Sequence, residues 1–186
     1  MVTIISLWIP IVVSAVIVFI ASSIMHMVLG YHRKDYRRLP NEDGLMEAIR
    51  KEGVPPGFYG FPHCSNPKEM SSPEMIDKYN KGPVGHLTVI PNGPPAMGKY
   101  LCMWFAYSIL IGVFVAYIAG RTLGPGTHYL AVFRIAGTVA FLGYGVGHIV
   151  DSIWKGQSAS ITIKHVIDGF VYALLTAGTF GWLWPR

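Results

Sequence analysis

The chain has 186 residues, 52% of them hydrophobic and only 13% charged, with a formal net charge of +5. A water-soluble domain carries about 25% charged residues, so the composition points away from an ordinary soluble enzyme or binding module. Nor does the basic balance indicate nucleic acid. Apart from Arg121, Arg134 and Arg186, every Lys and Arg lies in one long polar segment or beside the later apolar runs, where such residues set membrane topology and attract anionic headgroups.

Met1 to Tyr31 contain no Lys, Arg, Asp or Glu, and the cluster His32-Arg33-Lys34-Asp35-Tyr36-Arg37-Arg38 follows at once. About 20 apolar residues cross the hydrocarbon layer of a bilayer, so residues 2–29 read as a first membrane span. The run lacks a basic leading region and no small-residue cleavage site follows it, so it is expected to be retained. Residues 31–97 are polar. Asn41 is placed to cap a helix over residues 42–51 that Gly53 ends, and Ser72-Pro73-Glu74 to start a second helix closed by Gly82. Gly57-Phe58-Tyr59-Gly60-Phe61 and His86-Leu87-Thr88-Val89-Ile90 are aromatic or β-branched and bounded by Pro and Gly, the pattern of a two-stranded ribbon. So small a piece is not stable alone. It must lie on the bundle, on the membrane surface or on a partner.

Three further apolar runs follow, at residues 100–119, 129–150 and 161–184. Aromatic residues mark both sets of span ends: Trp8, Tyr129, Trp182 and Trp184 at one, Tyr31, Tyr100, Trp104 and Trp154 at the other. The expected fold is an all-α integral membrane protein, a four-transmembrane-helix bundle with a cytoplasmic insert between helices 1 and 2. Its parts are helix 1 (residues 1–30), the insert (31–97) and helices 2–4 (98–186). The basic residues sit mostly on the insert side, which places that side in the cytoplasm and both termini outside, as in a bacterial inner membrane.

His148 and Asp151 end the third span and His165 and Asp168 start the fourth, each pair at i and i+3 and so on one helix face. Topology brings both pairs to the insert side, with His26 and His32 at the end of span one and His63, Cys64 and His86 in the insert. Neutral imidazole is the commonest metal ligand, and carboxylates ligate or orient it. The metal candidates are therefore His26, His148, Asp151, His165 and Asp168. The alternative is a hydrogen-bonded ionic network in which Lys164, Lys155 or Arg33 pairs the aspartates, because ionisable groups in a span need partners.

Span four also carries Tyr172, Thr176 and Thr179 in register with His165 and Asp168, and span three carries Arg134 and Thr138. In lipid such stripes must face protein or a cavity, so a polar seam of Arg134, Thr138, Tyr172 and Thr176 is expected between helices 3 and 4. Arg134, with no carboxylate on its side of the membrane, is expected to reach for a phosphate. Gly143 and Gly147 form a small-xxx-small pair that would let a neighbouring helix approach.

No P-loop, G-x-S-x-G or dinucleotide-binding glycine motif is present, and Cys64 and Cys102 form no C-x-x-C pair. The leading functional expectation is accordingly non-enzymatic: an accessory or scaffolding subunit of a membrane complex, bound to a membrane-protein partner or to its own copies. A metal- or haem-binding redox protein using the interfacial histidines is the alternative. Proton-coupled transport along the polar seam is the second.

Overall fold

A computed structural model describes the whole chain, Met1–Arg186. The fold is mostly helical and has four helices long and apolar enough to cross a membrane, Ile5–Val28, Met97–Thr122, Tyr129–Trp154 and Ala159–Trp182. The chain divides into two compact units, Met1–Asp35 with Ala96–Arg186, and Tyr36–Pro95.

The first unit is the helical bundle. Helix α1 (Trp8–Ser23) is entered by a 3-10 turn, Ile5–Leu7, and left through a π turn, Ile24–Val28. Its partners are α4 (Met97–Thr122), α5 (Tyr129–Tyr144), the short α6 (Ile149–Trp154) and α7 (Ala159–Trp182). Helices α1, α4, α5 and α7 close a ring in which α5 against α7 is the most extensive interface. Alanines Ala15, Ala116, Ala119, Ala136, Ala140 and Ala177 are fully buried. With no large side chain at these seams the helices approach closely, which is how apolar helices associate when surface burial from water is not the driving force. Leu7, Val18, Val115, Val132 and Phe180 fill the remaining centre. At the end bearing both termini, Val2 N–H donates to Gly120 O and the Trp184 indole to Gly124 O, both at 2.9 Å. The outer surface is apolar: Trp8, Ile20, Phe114, Leu142, Ile163 and Phe170 are all exposed.

The third apolar run is not one straight helix. It breaks after Tyr144 into a 3-10 turn, Val146–His148, before α6 resumes. The close contact with α7 lies at that break, and of the expected pair only Gly143 abuts a neighbouring helix, α4. A Cβ on Gly169 of α7 would overlap the Gly145 and Tyr144 backbone, whereas one on Gly147 would meet nothing and one on Gly143 would meet only the Ile111 side chain of α4. The glycine that lets α7 touch the end of α5 is Gly169, seated on the Tyr144–Gly145 backbone.

The second unit holds α2 (Glu42–Lys51), β1 (Gly57–Phe61), α3 (Pro73–Lys81) and β2 (Gly85–Val89). The Asn41 side chain accepts from Gly44 N–H and that of Ser72 from Met75 N–H, so both helices begin on side-chain caps. Strands β1 and β2 pair antiparallel, from Gly57 opposite Val89 to Phe61 opposite Gly85. Met75 is the one hydrophobic residue of this unit that is buried.

Candidate functional site

The irregular end of span one builds the site. The π turn is closed by Leu29 N–H to Ile24 O at 3.1 Å, and such turns carry side chains out of the α-helical phase. Gly30 then takes φ +65°, a left-handed conformation open to glycine without steric cost. The chain doubles back, and Tyr31, His32 and Asp35 come to rest on the start of α7.

His32 is the centre of what results. Its Nε2 lies 2.8 Å from Asp168 Oδ2 and its Nδ1 2.6 Å from Asp35 Oδ2. The Tyr31 hydroxyl donates to Asp168 Oδ1. Lys164 donates to Asp35 Oδ1 and, at 2.8 Å, to the Tyr31 carbonyl. His26 sets its Nδ1 3.0 Å from the Ser22 carbonyl, and its Nε2 4.0 Å from Asp168 Oδ2. Four imidazoles stack in sequence: His26 on His32 at 4.4 Å, His32 on His165 at 5.4 Å, and His165 on His148 at 4.9 Å between centroids.

Both carboxylates are shielded, the Asp168 side chain 4% and that of Asp35 6% exposed. Buried carboxylates persist only when paired and hydrogen-bonded. Lys164 first, then His32, hold the Asp35 carboxyl below the ordinary carboxylate range. A carboxylate oxygen opposite each nitrogen of His32 is satisfied only when a proton lies on each side of the ring. The proton between His32 Nε2 and Asp168 is one that a metal cation can replace.

Beside the stack lies a cavity of about 320 Å³, walled by His26, His148, His165 and Asp168 on one side and by Trp104, Tyr144 and Tyr172 at its floor. The Trp104 indole is fixed by donation to Ser22 Oγ at 2.9 Å. Trp104, Tyr144 and Tyr172 pack edge-on or tilted on one another, with centroids 5.7 to 6.2 Å apart. The Tyr172 hydroxyl is buried and has no hydrogen-bond partner.

The expected site residues separate into those the fold gathers and those it does not. His26, His148, His165 and Asp168 meet. Asp151 does not join them: it pairs with Lys155 at 2.7 Å one turn along its own helix. Lys164 serves Asp35, not Asp168. His63, Cys64 and His86 belong to the insert unit, where Cys64 Sγ lies 3.4 Å from the Tyr79 hydroxyl and His86 stacks on Phe58.

The polar seam is not formed either. Arg134 and Thr138 are exposed and border a shallow outer groove with Phe141, Phe170 and Leu174, while Tyr172 and Thr176 point into the core. Thr138 donates to Arg134 O and Thr176 to Tyr172 O, each one turn back in its own helix. A haem iron held by two imidazoles needs their nitrogens, not their faces, turned toward each other, so it would require these stacked rings to turn. Sequence reasoning left His32 and Asp35 out of the metal set because their segment read as a basic topology signal, and Tyr31 because it read as an interfacial aromatic. The clue was the spacing of His32 and Asp35, again i and i+3.

No protein-family model, curated protein or solved structure matches the chain.

Proposed function

We propose that this is an integral membrane protein, its insert on the cytoplasmic side and both termini outside, that binds a divalent transition-metal ion through His26 Nε2, His32 Nε2 and Asp168 Oδ2. The membrane assignment is supported by the four long apolar helices and the apolar outer surface, and the orientation by the basic residues around the insert. The three candidate ligand atoms lie within 4.8 Å of one another.

One observation carries the metal reading. Both histidines have Nδ1 engaged by an oxygen, Asp35 for His32 and the Ser22 carbonyl for His26. That leaves both Nε2 atoms directed at one carboxylate. Metal-bound histidines almost always show this arrangement, because the outer oxygen fixes the tautomer and orients the ring. Tyr31 fixes the carboxylate in the same way. Holding the ion requires His26 to tilt out of its stack, and its ring, with a side chain 46% exposed, has room to do so. Two imidazoles and one carboxylate suit zinc or iron and leave a coordination position for water or substrate. A bound ion there would act as a Lewis acid or lower the pKa of a bound water.

The test is elemental analysis of detergent-purified protein after metal loading and desalting. Wild type should retain about one zinc, iron or cobalt ion per chain and the His26→Gln and Asp168→Asn variants should retain far less, because each lacks one atom that binds the ion. Equal retention by all three, or none by wild type, overturns the assignment.

A second reading keeps the accessory role for the insert. With Met75 its one buried hydrophobic residue, Phe58, Met70, Ile76, Val84 and Ile90 are left exposed, a surface suited to a membrane-protein partner. Crosslinking within native membranes tests this. Adducts from Phe58 or Ile76 positions to a single protein species support it, and adducts to lipid alone remove it.

A further inference from the structure

The cavity beside the histidine stack has features that the metal site does not use. Its mouth is made by Met27, Met97 and Leu101, which are 70%, 59% and 43% exposed. These flexible apolar side chains lie between the end of span one and the start of α4, on the outer surface of the bundle. The floor is the Trp104, Tyr144 and Tyr172 cluster. Neither Lys nor Arg lines the cavity, and Asp168 does. In the metal-free protein an anionic head, whether phosphate or fatty-acid carboxylate, would therefore face the Asp168 carboxylate with no lysine or arginine to receive it. The Tyr172 hydroxyl, on a residue 3% exposed, is the one buried side-chain polar atom left without a partner. Buried polar groups are nearly always paired, and an exception calls for a partner. At about 320 Å³ the cavity stands at the small end of the range for ligand pockets, roughly 300–1,000 Å³.

We propose that this cavity binds a small, uncharged, membrane-dissolved molecule with an apolar tail and a single oxygen head, a hydroxyl or carbonyl. The tail enters between Met27, Met97 and Leu101, and the head meets Tyr172 and Asp168. The Tyr172 hydroxyl is shut off from solvent in this structure, so a small rotation of its ring brings it to donate to the head oxygen, and a hydroxyl head donates in turn to Asp168. Such a molecule reaches the site from the bilayer rather than from water. The inference rests on the membrane location proposed above but not on the bound ion.

Three ligands with one tail and different heads test it: decanol, decanoate and decane. Each is titrated against chelator-treated protein in lipid nanodiscs, with thermal unfolding and Trp104 emission as readouts. Signal from Trp104 is isolated by subtracting a Trp104→Phe variant. Because the ion has been removed, failure of the metal reading and failure of this one are read separately. Decanol should raise the unfolding temperature saturably and shift Trp104 emission. Decane and decanoate should do so at least tenfold less well. Tyr172→Phe, which deletes only the unpaired hydroxyl, should fold normally and weaken decanol binding by about tenfold. Equal effects of decane and decanol would show simple partitioning. Stronger binding of decanoate, or unchanged decanol affinity in Tyr172→Phe, would likewise overturn the proposal.

Discussion

Replacing Gly169 by alanine probes the contact that positions both Asp168 and the break in span three. The added Cβ would overlap the backbone of Gly145 and Tyr144. Non-bonded carbons need about 3.5 Å, and a backbone cannot rotate aside as a side chain can, so α5 and α7 must part along their most extensive interface. Overpacking of this kind costs about 1–3 kcal/mol, and the top of that range applies where the obstacle is main chain. Alanine returns about 1 kcal/mol as the better helix former. The net loss is about 2 kcal/mol, which at roughly 2–4 °C per kcal/mol for a chain of this size lowers Tm by about 4–8 °C. Near-ultraviolet circular dichroism in detergent measures it. Gly147→Ala is the control, since nothing lies within 4 Å of its Cβ position; its Tm should stay at or above the wild-type value. If Gly169→Ala melts with wild type, or both variants lose stability equally, the Gly145–Gly169 crossing is not the contact described.

Deleting the orphaned hydroxyl in Tyr172→Phe should leave the ligand-free protein as stable as wild type or about 1 kcal/mol more stable, because an unpaired buried polar group is a cost; thermal unfolding reads this directly. Asp35→Asn removes the carboxylate behind His32 and should weaken metal affinity about 10–100-fold without abolishing it, as measured by competition with a chelating dye. Asp151→Asn breaks only a partly exposed pair with Lys155, so stability should change by less than about 1 kcal/mol and metal content not at all.

The four apolar helices were legible because apolar residues repeat with little interruption over each run, and the caps at Asn41 and Ser72 because capping is a local bond between near neighbours. The site was legible only in part. His26, His148, His165 and Asp168 could be brought together by topology alone, since antiparallel neighbours bring the end of helices one and three and the start of helix four to one side of the bundle. Two backbone irregularities hid the rest. The π turn at Ile24–Val28 and the reversal at Gly30 depend on tertiary contacts, so nothing in the apolar pattern announced that Tyr31, His32 and Asp35 would fold back onto α7. Helical phase misled at Arg134 and Thr138. They share a stripe with each other, but rotation of α5 about its axis, set by Ala136 and Ala140 packing inward, turns that stripe to the outside. Asp151 was drawn away by Lys155, a neighbour four residues on whose local pairing needs no other helix.

X-ray absorption at the metal edge of the loaded protein addresses the His26–His32–Asp168 centre most directly, because it counts imidazoles and measures bond lengths in one experiment. The spectrum should show first-shell nitrogen and oxygen at about 2.0–2.2 Å with outer-shell scattering from two imidazole rings, falling to one ring in His26→Gln. A shell of oxygen alone, or a two-imidazole signal that survives both His26→Gln and His32→Gln, would contradict the assignment.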